Sequence, residues 1–251
     1  MSDSSSRRDE SVRPSGKRPV VSVVMPFWRR REVAIRTLEQ YARLYKPELV
    51  EVVLVDDGSP DSTADGLEDV YGGAKVIKLP PKDGPLNPCV PINVGVAYAS
   101  GVALALSNPE VYHEQDTLGG LLRLLIGPLD YAVAPAWCPE LEVWHAHPSL
   151  AKHATMEVAA GHFLAVFQRD LWEAVGGFDP MYRYGFGWDD TDWIRSVLDV
   201  GGRIKWGETP VLHFKSGGAR IDWGVIPSNS TIFEEKWKAR AHGRPLRFTL
   251  A

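Results

Sequence analysis

The sequence predicts an α/β protein built on a mostly parallel central sheet with flanking helices. Three observations carry that expectation. Strand-like and helix-like runs alternate from about residue 20 to residue 137. The strand-like runs are almost unbroken in β-branched and aliphatic residues, the pattern of strands covered on both faces. Those runs also stop at polar or turn-forming residues, namely Pro26 to Arg30, Asp56 to Ser59 and Ser107 to Glu110. An open parallel sheet binds its ligands at that end of its strands.

Residues 1 to 18 are polar and charged and are expected to form a disordered tail. "PVVSVVMP" reads as the first strand. "REVAIRTLEQYARLY" follows at helical spacing, with Val33, Leu38, Ala42 and Tyr45 near one face. "VEVVLV" is a second buried strand, ended by "DDGSPDST", a turn and then a helix start capped by Asp61 or Ser62. "AKVIKLP" is a third strand. "PINVGVAYAS" is a helix opening on Pro91, a residue suited to the first helical position. Gly101 ends it, "VALALS" is a fourth strand, "DTLGGLLRLLI" a capped helix and "YAVAPAW" a fifth strand. Residues 138 to 157 are expected to form a long loop carrying His145, His147 and His153. "GHFLAVFQ" is a strand, and "RDLWEAV" a short helix closed by Gly176 and Gly177. "DDTDWIRSVLDV" is a helix with its acids in the first turn, followed by the short strands "RIKW" and "PVLHF". No internal repeat is present. The expected organisation is a tail over 1–18, one domain over 19–229, and a C-terminal helix and tail over 230–251.

The chain has 251 residues, 44% of them hydrophobic, enough to bury a sizeable core. Its net charge of -4 gives no whole-chain case for nucleic-acid binding. Cys89 and Cys138 make no disulfide framework, which fits a reducing compartment. The Ser- and Arg-rich N-terminus lacks the apolar stretch of a secretory signal. The most apolar segment, "VGVAYASGVALALS", is too short to span a bilayer. These features lead to the expectation of a soluble, cytoplasmic protein. One segment is locally basic, "EEKWKARAHGRPLR". Its Lys236, Lys238, Arg240, Arg244 and Arg247 suit a solvated helix face, or a surface for a phosphate-bearing acceptor.

Two stretches point to chemistry. In "VVLVDDGSPDST" a strand ends on Asp56 and Asp57, whose carboxylates can accept from a nucleobase N–H or from sugar hydroxyls. An ordinary strand-to-helix turn accounts for the same residues. In "FGWDDTDW", Asp189, Asp190 and Asp192 are crowded between Trp188 and Trp193. A helix N-terminus favours acids for structural reasons alone. Crowded carboxylates also raise one another's pKa, which tunes a general base. Trp188 offers a face for a sugar ring, whereas Trp193, inside the helix, suits the core. Tyr182, Tyr184, Phe186 and Trp223 suit either an aromatic acceptor platform or core packing.

Taken in order, "VSVVMPFWRR", "VEVVLVDDGSPDST" and "NVGVAYASG" before a strand resemble the glycosyltransferase family 2 pattern on a GT-A fold. The later "GGFDPMYRYGFGWDDTDW" is similar to an acceptor-side motif found in many GT-A enzymes, the β-1,4-galactosyltransferases among them. The resemblance spans roughly residues 20 to 215. It implies transfer of a sugar, a hexose first, from a nucleotide diphosphate donor (a UDP-sugar foremost), usually with Mn2+ or Mg2+. It further implies that Pro26, Phe27, Asp56 and Asp57 line the nucleoside pocket and that Asn93 sits near the donor. Asp190 would be the base, Asp189 and Trp188 would meet sugar or acceptor, and Asp192 would do the same or only stabilise the helix start.

One element departs from that pattern. Where such enzymes carry Asp-x-Asp, this chain reads "LALSNPEVYH", leaving Glu110 as the one carboxylate. His213 in "VLHF" would be a second metal ligand, since the family often uses a late histidine, although packing or a backbone hydrogen bond accounts for a lone histidine at a strand end as well. Neutralisation of the diphosphate by Arg29, Arg30, Arg31 or Lys215 is the alternative. A nucleotidyltransferase would want a glycine-rich loop after the first strand, and "PFWRRREV" has no glycine. A carbohydrate-binding protein without catalysis is the other competing reading, favoured by "SNPE" and opposed by "WDDTD".

Overall fold

The computed structural model describes residues 18–82, 87–152, 163–215 and 228–241. In chain order the strands are β1 (Val21–Phe27), β2 (Val50–Asp56), β3 (Ala74–Lys78), β4 (Ala103–Ser107), β5 (Val111–Tyr112), β6 (Asp130–Val133), β7 (Ala136–Cys138), β8 (Val143–Ala146), β9 (Leu164–Gln168), β10 (Arg203–Trp206) and β11 (Val211–His213). The α-helices are α1 (Arg31–Leu44), α2 (Cys89–Tyr98), α3 (Thr117–Leu122), α4 (Arg169–Val175), α5 (Asp189–Asp199) and α6 (Ser230–Ala241).

A seven-stranded sheet runs in the order β10-β6-β9-β4-β1-β2-β3. All its pairings are parallel except those of β9, which is antiparallel to both β4 and β6. The unbroken apolar runs follow from burial on both faces. Val21, Val23 and Met25 of β1 join one core cluster with Leu38 and Tyr41 of α1. Val24 points to the other cluster, with Ile92 and Val96 of α2 and Ile194 of α5. Gly95 permits the close approach of α2, because a Cβ there would fall on the Val24 and Val55 side chains. A second sheet, in the order β5-β11-β7-β8, stands at the carboxyl ends of β4 and β6.

Four local expectations are corrected. No α-helix follows Asp61 or Ser62. Asp61 Oδ1 accepts from the Thr63 N–H at 3.0 Å, closing a side-chain turn, and only a single 3-10 turn forms, at Leu67–Asp69. Helix α2 begins at Cys89, so Pro91 is its third residue; no first-turn N–H has an intrahelical partner, so the proline costs no bond there. "YAVAPAW" is two strands: β6 ends at Val133, and Ala134–Pro135 carry the chain into β7 of the second sheet. The expected loop from residue 138 is instead an antiparallel hairpin of β7 and β8, with Trp137 and Trp144 packed at 5.1 Å, then a 3-10 turn at Pro148–Lys152. The tail over 1–17, His153 and Trp223 lie outside the described residues.

Helix α6 is part of the packed body, with Phe233 and Trp237 in the second core cluster. Lys236, expected on a solvated or phosphate-facing surface, is buried instead. Among the described residues, no helix is long and apolar enough to cross a membrane.

Candidate active site

The ends of β1 and β2 meet directly: the Asp57 N–H donates to the Phe27 carbonyl at 2.8 Å. Asp56 is turned into its own loop. Its Oδ1 accepts from the Ser59 N–H at 3.1 Å and from Ser59 Oγ at 2.6 Å. Ser59 Oγ in turn accepts from the Arg29 N–H at 2.9 Å, which ties the two strand-end loops together. Asp57 is buried, and Lys82 Nζ lies 2.6 Å from its Oδ1. Pro26 is half-buried in the same strand end. Beyond it, the Arg29 guanidinium lies 4.7 Å from the Trp28 ring centroid.

Glu110 closes the end of β4. Its Oε1 meets Arg30 Nη1 at 2.5 Å and lies 3.8 Å from His213 Nε2. Its Oε2 is buried without a partner. Burial opposes ionisation of Glu110, but His213 and the Arg30 charge outweigh burial and hold its pKa below the ordinary carboxylate value. A cleft of about 400 Å3 opens beside it, lined by Arg36, Tyr112, Phe214 and Lys215. Behind His213 stands His145 of β8, with the two Nδ1 atoms 2.7 Å apart.

The acidic motif starts α5. Trp188 takes a left-handed backbone (φ 68°) at its N-cap and packs its half-buried ring 5.0 Å from that of Phe233. Asp189 is buried, and Asn87 Nδ2 donates to its Oδ1 at 2.7 Å. Asn87 Oδ1 also accepts from the Cys89 N–H at 3.1 Å, so one amide joins the start of α2 to the start of α5. Burial, and next the charge of Asp190, push the Asp189 pKa up to about 7. Asp190 is half-exposed, and its Oδ1 accepts from the Thr191 N–H at 2.7 Å. The connection between β3 and α2 carries both Lys82, which meets Asp57, and Asn87, which meets Asp189. Between Lys82 and Asn87, residues 83–86 lie outside the described residues. Burial pushes the nearby Cys89 thiol up to about 12, and the charges of Asp189, Asp179 and Asp57 all add to the effect.

Two expected substrate contacts are otherwise engaged. Asp192 accepts from Lys236 Nζ at 2.7 Å and from Trp237 Nε1 at 2.8 Å, so both its oxygens bind α6 rather than a sugar. The Asn93 amide brackets Phe178, donating to its carbonyl at 2.8 Å and accepting from its N–H at 2.9 Å. It braces the "GGFDP" segment against α2. Tyr182 is fully buried, so it offers no acceptor platform, while Trp193 stacks on Phe178 in the core at 4.8 Å. His147 stacks on Trp144 at 4.3 Å.

Asn87 and His145 are the site residues that sequence reasoning missed as such. Asn87 carried a signal, an Asn-Pro step just ahead of a helix. For His145 the signal is the strand-like run "VWHA".

A large, mainly parallel central sheet flanked by helices is the arrangement of the GT-A class. The chain belongs to glycosyl transferase family 2, whose model matches residues 22–178. Among curated proteins, none matches the sequence. Among solved structures, the chain is similar to the mannosyltransferase PcManGT from Pyrobaculum calidifontis in complex with GDP-Man and Mn2+. They share 20% identity and a TM-score of 0.59 over 81% of this chain and 59% of that one. It is also similar to S. aureus TarS 1–349 in complex with UDP-GlcNAc, at 17% identity and a TM-score of 0.70 over 90% of this chain and 68% of that one. At these identities the likeness is one of fold, and the chain spans about three fifths of the mannosyltransferase's length.

Proposed function

We propose that the protein is an inverting glycosyltransferase that moves a hexose from a nucleotide diphosphate, UDP first, to an acceptor hydroxyl. The observation that carries this reading is the acid pair at the start of α5. The half-exposed Asp190 stands beside a buried Asp189 that Asn87 ties to the strand-end side. In the proposed reaction the acceptor oxygen attacks the anomeric carbon from the face opposite the leaving group. The C1–O bond to the nucleotide diphosphate breaks, and the hydroxyl proton passes to Asp190. Asp189 can accept from a substrate hydroxyl through the oxygen not bound by Asn87. Pro26, Phe27 and Asp57 would receive the nucleoside, on the turn that Asp56 holds in shape. The exposed part of Trp188 would stack on a sugar.

Glu110 and His213 would hold Mn2+ or Mg2+. The unpartnered Glu110 Oε2 and the His213 Nε2 3.8 Å from Oε1 fit that task. Among the described residues, no group of three or more His, Cys, Asp or Glu side chains is arranged to hold a metal ion. Two protein ligands with substrate phosphates and water suit these hard cations. When bound, the ion would neutralise charge on the diphosphate leaving group. Arg30, already on Glu110, adds a second positive group there. Two free, buried cysteines agree with a cytoplasmic setting.

Nucleotide release from a panel of donor sugars with Mn2+ tests the reading, and release of UDP or GDP is expected. Pyrophosphate would instead indicate a nucleotidyltransferase, and tight sugar binding with no release a carbohydrate-binding protein. Asp190→Asn should lower turnover by about 10² to 10⁴ while leaving UDP affinity, followed by calorimetry, unchanged.

A further inference from the structure

The geometry points to His145 as a positioning residue that fixes the tautomer and ring plane of His213 for cation binding; the inference rests on the metal reading of Glu110 and His213. The two Nδ1 atoms are 2.7 Å apart, so one proton lies between them. If His213 Nδ1 donates it, His213 Nε2 carries a lone pair on the side that faces Glu110. If His145 donates it, the neutral His213 must carry its own proton on Nε2. That proton would then face the Glu110 carboxylate, which favours this form until a cation takes its place. A cation on Nε2 requires the first arrangement, in which His145 accepts from His213 Nδ1, the division of roles that metal-ligating histidines use.

Packing supports the same function. The Phe163 ring lies 4.6 Å from the His213 ring and 5.4 Å from the His145 ring, so both imidazoles rest against one aromatic wall. His145 arrives on β8, across β7 from the β11 that carries His213. The hairpin that replaces the expected loop is therefore what brings the second histidine to the site.

The test measures Mn2+ binding to the full chain, with and without UDP, by the loss of the free-ion electron paramagnetic resonance signal. His145→Phe keeps a ring against Phe163 but removes the acceptor. It should weaken Mn2+ binding by about 10- to 100-fold. His145→Asn puts an amide oxygen near the Nδ1 position and should bind Mn2+ almost as the parent does. A merely structural role predicts the reverse order, and that result would overturn the inference. His213→Ala separates the two levels: if it leaves Mn2+ binding intact, the metal reading itself fails. If it abolishes binding while His145→Phe does not, only the role of His145 fails. Histidine 15N spectra of the parent protein at saturating Mg2+ need no variant. They should show His213 protonated on Nδ1, and protonation on Nε2 alone would refute the assignment.

Discussion

Replacing Asp189 by Asn should make the protein more stable, and increasingly so as pH rises. The ordinary value for this carboxyl is 3.8, and in the fold it is pushed up to about 7, by burial first and then by the Asp190 charge. Below pH 4 the group is protonated in folded and unfolded chains alike, and it costs nothing. Between the two values the folded chain keeps a proton that the unfolded chain releases. Stability therefore falls with rising pH, by at most about 1.4 kcal/mol per pH unit. Above pH 7 the loss levels off at about 4 kcal/mol. Asn cannot ionise and retains an oxygen for the 2.7 Å bond from Asn87, so it removes the titration with little change of shape. Urea unfolding of parent and variant from pH 5 to pH 8, followed by tryptophan fluorescence, gives the difference directly. Taking the difference cancels groups that titrate identically in both. A difference that stays flat across that range, or favours the parent at high pH, would refute this account of the acid pair.

Other consequences are equally measurable. If Asp189 must be ionised for transfer, turnover should rise as pH passes through about 7, and Asp189→Asn should lose that limb together with most of the turnover. Lys236→Met should destabilise the chain by about 3–5 kcal/mol in denaturant unfolding, because it strands buried Asp192 beside Asp179. Gly95→Ala should also destabilise, by about 1–3 kcal/mol, since crowding against Val24 and Val55 exceeds the helix-propensity gain; the urea midpoint reports it. Asp57→Ala should weaken UDP binding by about 10- to 100-fold in calorimetry, the worth of a hydrogen bond to a charged group.

The main sheet was legible because double-sided burial writes itself as unbroken Val and Leu runs. The α4 stop was legible too, since Gly176 takes the left-handed backbone that ends a helix (φ 89°). The second sheet was not. Its strands are two to four residues long, too short for periodicity to register. The acidic turn stood out in sequence, but its division of labour did not. Nothing in "DDTD" tells that the first acid is buried under Asn87 or that the last is bound by a lysine 44 positions on. Those partners are set by packing between distant elements. The same holds for Asn93, whose backbone bracket spans 85 positions.

The grip of α6 on Asp192 bears on how this protein can be cut or extended. A chain ended before Ser230 would keep every carboxylate of the acidic turn but lose the ammonium and indole that accommodate one of them. Its α5 would start with an uncompensated charge in an apolar setting, beside the acid pair proposed as the base. A shortened form for screening or crystallisation should therefore end after the helix, not before it.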